Sequence, residues 1–145
     1  MSELMPDAEA QACLTVRDSD LATSLNLEPG DAFPPVFATS RMVALMEVAG
    51  ARLLRPLLAP GELSVGVTVD ITHAAATPVG VGVSATARYV GREGRLFVLE
   101  VTAWDAGGEI GRGTHKRAII STERLLSGAA RRNNPSAEVR SPGSR

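Results

Sequence analysis

The sequence has few of the features that mark secreted, membrane-spanning or nucleic-acid-binding proteins. Its single cysteine, Cys13, cannot form an internal disulfide bond, which fits a reducing compartment. The formal net charge of −1 provides no electrostatic basis for binding nucleic acid or an anionic membrane. No stretch approaches the roughly 20 apolar residues of a membrane span, and residues 1–10 lack the basic and apolar regions of a secretion signal. We therefore expect a cytoplasmic protein without a nucleic-acid or membrane partner.

The length of 145 residues and the hydrophobic content of 44% are typical of one globular domain with a sizeable core. Residues 1–10 are polar, and residues 127–145 contain hardly an apolar side chain, which is a composition that does not support packing. We predict a flexible N-terminus over residues 1–10, a folded domain over residues 11–126, and a disordered tail over residues 127–145.

One long helix is predicted over residues 40–55, which are rich in good helix formers, with Thr39 or Ser40 suited to cap its start. Glu47 falls on the apolar side of this helix when the residues are placed about 100° apart. A carboxylate buried there without a partner is costly, so Glu47 needs either a structural hydrogen bond or a catalytic role. Three arginines share a separate stripe that is most simply a solvated face: Arg41, Arg52 and Arg55.

After the helix, the hydrophobic period changes from 3.6 to 2, which is typical of strands. Four long strands are predicted, and a short strand is expected at 12–17, before a broken, partly apolar loop at 18–35. We expect these strands to form an antiparallel meander. A sheet of this length needs a covered face, so we expect an α+β fold in which the helix packs across the sheet. The four strands span residues 64–73, 81–90, 95–104 and 110–121.

Three blocks of the chain resemble, in order and spacing, the corresponding blocks of the fluoroacetyl-CoA thioesterase family within the hot-dog superfamily. The blocks are FPPVFATSRMVALMEVAG, GVTVDITHAAATPVG and EIGRGTHKRAII. The resemblance covers residues 12–125 and implies the hot-dog fold, in which an antiparallel sheet wraps one long central helix. It also implies a homodimer with active sites at the interface and hydrolysis of an acyl-CoA thioester.

The resemblance further implies the site residues. The family's catalytic threonine, glutamate and histidine match Thr39, Glu47 and His73. Its substrate-binding positions match three other residues: Phe33 in a lid over the acyl pocket, Gly66 with its backbone against the acyl group, and Arg117 near the ligand.

These residue types suit the chemistry, because hydrolysing a thioester needs a nucleophile or an activated water, a proton carrier and donors for the oxyanion. Glu47 could be the nucleophile or the general base, and the sequence does not decide between them. His73 is suited to carry protons near neutral pH. We expect neither a metal nor another cofactor, since CoA is part of the substrate and the product.

Each residue also has a purely structural interpretation. Thr39 could be only a helix cap, His73 a hydrogen-bonded strand end, and Arg117 the partner of an acid. His115 lies within a strand pattern, and we interpret it as structural. The combination of Thr39, Glu47 and His73 in the family's order is what favours catalysis.

The chain departs from the family in the lid, where the fluoroacetyl-CoA enzyme has two phenylalanines. Phe33 matches one of them, but the other position is Gly30. The loop has leucines instead, so we expect a softer lid and weaker fluorine selectivity. They are Leu21, Leu25 and Leu27.

Two other functions remain open from the sequence. A hot-dog enoyl-CoA hydratase could use Asp70 and His73 as its acid and base, although it leaves Glu47 without a role. A non-catalytic acyl-CoA binder is the second alternative. The acyl group, the carrier (CoA or the pantetheine arm of a carrier protein) and the subunit that supplies His73 also stay open.

Overall fold

The computed structural model describes residues 3–134 as a five-stranded antiparallel sheet curled around one long helix. The architecture is that of the hot-dog fold and confirms the predicted α+β class. The elements are β1 (Glu9–Thr15), α1 (Thr39–Leu54), β2 (Glu62–His73), β3 (Gly82–Glu93), β4 (Leu96–Asp105), β5 (Gly108–Ser121) and α2 (Thr122–Arg132).

The strand order in the sheet is β1-β3-β4-β5-β2, with every neighbouring pair antiparallel. The four long strands are those expected from the sequence, but they do not form a simple meander. β2 pairs with β5, the last strand, and not with β3, which follows it in the chain. This pairing leaves β2 at an edge of the sheet, where Val67 and Val69 are about half exposed.

Helix α1 buries an apolar face against the sheet, and its core residues are mostly large and fully covered, such as Met42, Met46 and Leu54. The sheet meets the helix with small residues, including Ala85 and Ala87, which have no exposed surface. Small side chains on the sheet let the helix approach closely, and burial of each large helix side chain stabilises the fold by about 2 kcal/mol. The helix is thereby fixed over the sheet in one orientation.

Two of the three arginines on the predicted solvated stripe make specific contacts. Arg41 donates to the buried carboxylate of Asp20, and Arg52 donates to the main-chain oxygen of Gln11. The interpretation of the stripe as merely solvated is therefore wrong for these two residues. They tie the helix to the segments that precede it.

The loop at 18–35 contains two short 3-10 helices, Asp18–Asp20 and Ala22–Leu25, and is anchored to the start of α1. The main-chain N–H of Ala38 donates to the oxygen of Asp20. Hydrogen bonds from Arg17, and then from Arg41, lower the pKa of Asp20 to about 2 although burial of the carboxyl opposes this. The ionised Asp20 carboxylate therefore holds the loop to Arg17 before it and to Arg41 of α1.

Both predicted domain limits differ from the observed elements. Strand β1 begins at Glu9, inside the segment expected to be flexible, and helix α2 continues to Arg132, inside the expected tail. The hydroxyl of Ser121 caps this helix by accepting from the N–H of Arg124. Residues 135–145 of the predicted tail lie outside the described residues. Within residues 3–134, no helix is long and apolar enough to cross a membrane.

Candidate active site

The first cluster of predicted site residues forms where the start of α1 meets the end of β2. The hydroxyl oxygen of Thr39 lies 2.7 Å from Nδ1 of His73. Thr39 is not the helix cap that its position suggested, because Ala38 occupies that position and α1 has no side-chain cap bond. The hydroxyl is therefore available to His73. The other ring nitrogen of His73, Nε2, is buried and has no hydrogen-bond partner among the described residues.

This pair lines a cavity of about 560 Å³ beneath the 18–35 loop. Phe33 and Leu25, two of the predicted lid residues, both line it. The rest of the predicted leucine lid is wrong, because Leu21 is buried in the core and Leu27 is 94% exposed. Gly30, which the family resemblance matches to the second phenylalanine of the lid, has open space around it. The loop therefore contributes one aromatic side chain, one leucine, Ala22 and Pro34 to a mainly apolar lining.

Glu47 belongs to a second cluster, farther along the same helix. Its Oε2 accepts a hydrogen bond from Nη1 of Arg117 at 3.0 Å. The side chain of Arg117 is 6% exposed, whereas that of Glu47 is 44% exposed. The helix carboxylate is therefore paired on one side and open on the other, and it is less buried than its place on the helix suggested.

Gly66 of β2 makes room for this carboxylate. A Cβ atom built at Gly66 would lie 2.7 Å from Oε2 of Glu47 and 3.1 Å from Cε1 of His115. Both distances are shorter than ordinary van der Waals contact, so a side chain at this position requires the neighbours to move. Glycine at this position lets the strand backbone lie directly against the Glu47 carboxylate.

A family model described as fluoroacetyl-CoA-specific thioesterase matches residues 16–123. The chain belongs to the fluoroacetyl-CoA-specific thioesterase family. Over 93 residues it is 50% identical to the fluoroacetyl-CoA thioesterase of Streptantibioticus cattleyicolor. The aligned region covers 64% of this chain and 67% of that protein. This membership makes the chain an acyl-CoA thioesterase and agrees with the family resemblance of the three blocks.

Solved structures agree with this assignment. A structure of a fluoroacetyl-CoA thioesterase superposes with a TM-score of 0.86 at 38% identity, covering 92% of this chain and all of that one. A thioesterase superfamily member from Thermus thermophilus superposes with a TM-score of 0.81 at 28% identity, covering 90% of this chain and 94% of that one. The match extends over nearly the whole described fold.

The two clusters do not meet within one chain of this thioesterase. Eight residues separate Thr39 from Glu47 on the same helix, which corresponds to a rise of about 12 Å. Gly66, beside Glu47, is seven residues from His73 along β2, and one of these residues is the extra residue of a bulge between Gly66 and Thr68, so the distance is roughly 20 Å. Within residues 3–134, Glu47 bonds to Arg117 and His73 bonds to Thr39. Each chain therefore contains two separate halves of the predicted site.

Sequence reasoning missed the groups that support Arg117. Ser64 accepts from Nε of Arg117 through its hydroxyl and from Nη2 through its main-chain oxygen. His115 lies 3.0 Å from Nη1 of Arg117 through its Nε2. The alternation of His115 with Arg117, and of Ser64 with Gly66, was a signal that each pair faces the helix. The alternation alone did not indicate that Ser64 and His115 would both hydrogen-bond to Arg117.

Proposed function

We propose that this thioesterase hydrolyses short acyl-CoA thioesters to the free acid and CoA with Thr39, Glu47 and His73, and that fluoroacetyl-CoA is one of its substrates. The observation that carries the proposal is the 2.7 Å contact between Thr39 and His73 beside an apolar cavity. A relative solved with fluoroacetate and CoA bound supports the substrate class; it is 39% identical with a TM-score of 0.78, covering 84% of this chain and 99% of that one.

The separation of the two half-sites supports a homodimer in which each active site uses both subunits. Edge strand β2 is 12 residues long, and its exposed valines favour pairing with a second copy of the same strand. If β2 pairs antiparallel with its copy about a two-fold axis through Asp70, the extra residue at the bulge between Gly66 and Thr68 brings Gly66 opposite the partner's His73. Directly opposed residues point to the same face of a sheet. Both Gly66 and His73 contact side chains of α1, so they share the helix-covered face.

In this dimer, Glu47 of one subunit reaches the Thr39–His73 pair of the other. The Glu47 carboxylate either attacks the thioester carbonyl carbon or removes a proton from a water that attacks it, and the carbon–sulfur bond then breaks. When Glu47 itself attacks, the acyl group is left on Glu47 as an anhydride, which water hydrolyses to the free acid and the free Glu47 carboxylate. His73 carries a proton to the leaving CoA thiolate, while Thr39 holds the imidazole through Nδ1. The first turn of α1 lines the cavity, and its N-terminal end favours the developing oxyanion.

The cavity explains the proposed preference for small acyl groups with limited fluorine selectivity. Phe33 and Leu25 cover the acyl group, while Gly30 leaves the second gate position empty. A gate with one phenylalanine is less able to exclude non-fluorinated acyl groups. We expect acetyl-CoA and fluoroacetyl-CoA to be hydrolysed with closer efficiencies than a gate with two phenylalanines allows.

The strand geometry disfavours the hydratase alternative. Asp70 and His73 are three residues apart on β2, with regular pairing to β5 between them. An odd separation places two side chains on opposite faces of a sheet, so Asp70 points away from the face where His73 contacts Thr39. One chain therefore does not present them together as an acid–base pair.

Thiol release from acetyl-CoA and fluoroacetyl-CoA tests the proposal. Glu47→Gln and His73→Ala should each lower kcat at least about 100-fold, because each removes a reacting group. Glu123→Gln, on an exposed position of α2, is the control and should keep wild-type activity. Wild-type protein that binds acyl-CoA without releasing thiol would support the non-catalytic binder instead. Full activity in Glu47→Gln would contradict the proposed site.

A further inference from the structure

A buried polar cluster lies beneath Glu47 and has no part in the chemistry proposed above. His115 and Arg117, two residues apart on β5, are 1% and 5% exposed. Two glycines make space around them. A Cβ built at Gly50 of α1 would come within 3.1 Å of Arg117 and 3.4 Å of His115, and one at Gly66 within 3.1 Å of His115. The cluster is therefore tightly enclosed between the helix and β2.

The hydrogen bonds of His115 specify its tautomer. Its Nδ1 lies 2.8 Å from the main-chain oxygen of Thr68, which can only accept, so Nδ1 carries the proton. Its Nε2 lies 3.0 Å from Nη1 of Arg117, which can only donate, so Nε2 is an acceptor. Burial lowers the pKa of His115, although the Thr68 carbonyl opposes this, and the charge of Arg117 lowers it further. The imidazole is thus a neutral acceptor directed at Arg117.

Arg117 is anchored on three sides. Ser64 accepts from Nε at 3.0 Å and from Nη2 at 2.8 Å, and His115 accepts from Nη1. The same Nη1 donates to Oε2 of Glu47. Because Nη1 has two hydrogens, one goes to His115 and one to Glu47. Within residues 3–134, the other carboxylate oxygen of Glu47, Oε1, accepts no hydrogen bond.

We propose that His115 is a positioning residue that holds Arg117 so that the guanidinium gives Glu47 a single hydrogen bond and leaves Oε1 free to react. Without the His115 acceptor, one Nη1 hydrogen is buried without a partner, and this favours rotation of the guanidinium. Rotation moves the Glu47 carboxylate that Arg117 holds. The inference depends on the proposed catalytic role of Glu47, and the test below separates the two.

Two conservative replacements of His115 separate the acceptor from the donor. His115→Asn keeps an N–H near the Nδ1 position for Thr68 but loses the acceptor for Arg117. His115→Gln places its amide near the Nε2 position, so it keeps the acceptor and loses the donor. We expect kcat to fall roughly 10- to 100-fold in the Asn variant with KM within about threefold, since a displacement near 1 Å has effects of this size. We expect kcat of the Gln variant to stay within about threefold of wild type.

A double-mutant comparison shows whether the effect passes through Glu47. In a Glu47→Gln background, His115→Asn should lower the residual kcat by less than about threefold, because the residue it positions is already absent. Ser64→Ala removes another anchor of Arg117 and provides a second variant, which should lower kcat in the wild-type background and not in Glu47→Gln. The melting temperature of every variant is measured in parallel.

The proposal is overturned if Asn and Gln at position 115 lower kcat equally, if neither changes it, or if the loss persists in the Glu47→Gln background. Those outcomes describe a histidine that only supports the fold or has no role. The proposed function fails differently: wild-type enzyme would then release no thiol, or Glu47→Gln would keep full activity.

Discussion

Replacing Gly66 with alanine tests whether the close approach of β2 to Glu47 serves catalysis. The new Cβ would lie 2.7 Å from Oε2 of Glu47, whereas ordinary contact begins at 3.4 Å. The carboxylate must therefore move by about 0.7 Å, the difference between these distances. Oε2 is at the end of a flexible, partly exposed side chain and can move, whereas the buried His115 ring, 3.1 Å from the new Cβ, has to shift by about 0.3 Å to reach 3.4 Å. We expect the free energy of unfolding to fall by about 1 kcal/mol.

Activity should respond much more strongly than stability. A misplacement of about 1 Å at a reacting group costs roughly 100-fold in rate, so a shift of about 0.7 Å should lower kcat by about 10- to 100-fold. The assay is thiol release from acetyl-CoA, with thermal unfolding measured on the same samples. Gly82→Ala is the matched control, because a Cβ there meets nothing within 4 Å. Wild-type kcat in Gly66→Ala, or a loss of activity explained entirely by unfolding, would refute the reasoning.

Two further predictions concern the start of α1. Thr39→Val removes the hydroxyl that contacts His73 and should lower kcat about 10- to 100-fold, while Thr39→Ser keeps most activity; equal kcat in both variants would contradict the proposed contact. Asp20→Asn should destabilise the protein by about 1 kcal/mol at pH 7. The loss is no larger because both arginine partners of Asp20 are partly exposed, and solvent screens their ion pairs with it. Because folding lowers the pKa of Asp20 to about 2, this difference should be complete above about pH 4 and shrink as the pH falls toward 2. A difference in unfolding free energy that stays constant from pH 7 to pH 2.5 would contradict the assignment of this carboxylate.

The secondary structure was predictable because its signals are local. The change of hydrophobic period after the helix located all four long strands to within a few residues. The position of β2 in the sheet was not predictable from the sequence. Alternation along a strand specifies which side chains face the core, but it does not specify which strand lies beside it. The pairing of β2 with β5 is what brings Gly66 and Arg117 together. Helix α2 itself was not predicted, since its few leucines remain largely exposed and give a weak signal.

The candidate site could be proposed from the sequence as a set of residues but not as an arrangement in space. Periodicity placed Glu47 on an unusual side of the helix, and the family resemblance supplied Thr39 and His73. Neither indicated that Arg117, 70 residues later, would pair with Glu47, or that the carboxylate would be almost half exposed. The two half-sites are separated by two turns of α1 and by most of the second half of β2. This separation became clear only when the helix and the strand were both placed in three dimensions.

Complementation between two inactive variants tests the central claim, that each active site combines Glu47 of one subunit with Thr39 and His73 of the other. Glu47→Gln and His73→Ala chains are coexpressed with different tags, and dimers carrying both tags are purified. A heterodimer then contains one site with both changes and one site with neither. We predict about half of the wild-type kcat per dimer, while each homodimeric variant stays inactive. A heterodimer as inactive as both parents would contradict the claim, because a site built within one chain leaves every site with one defect.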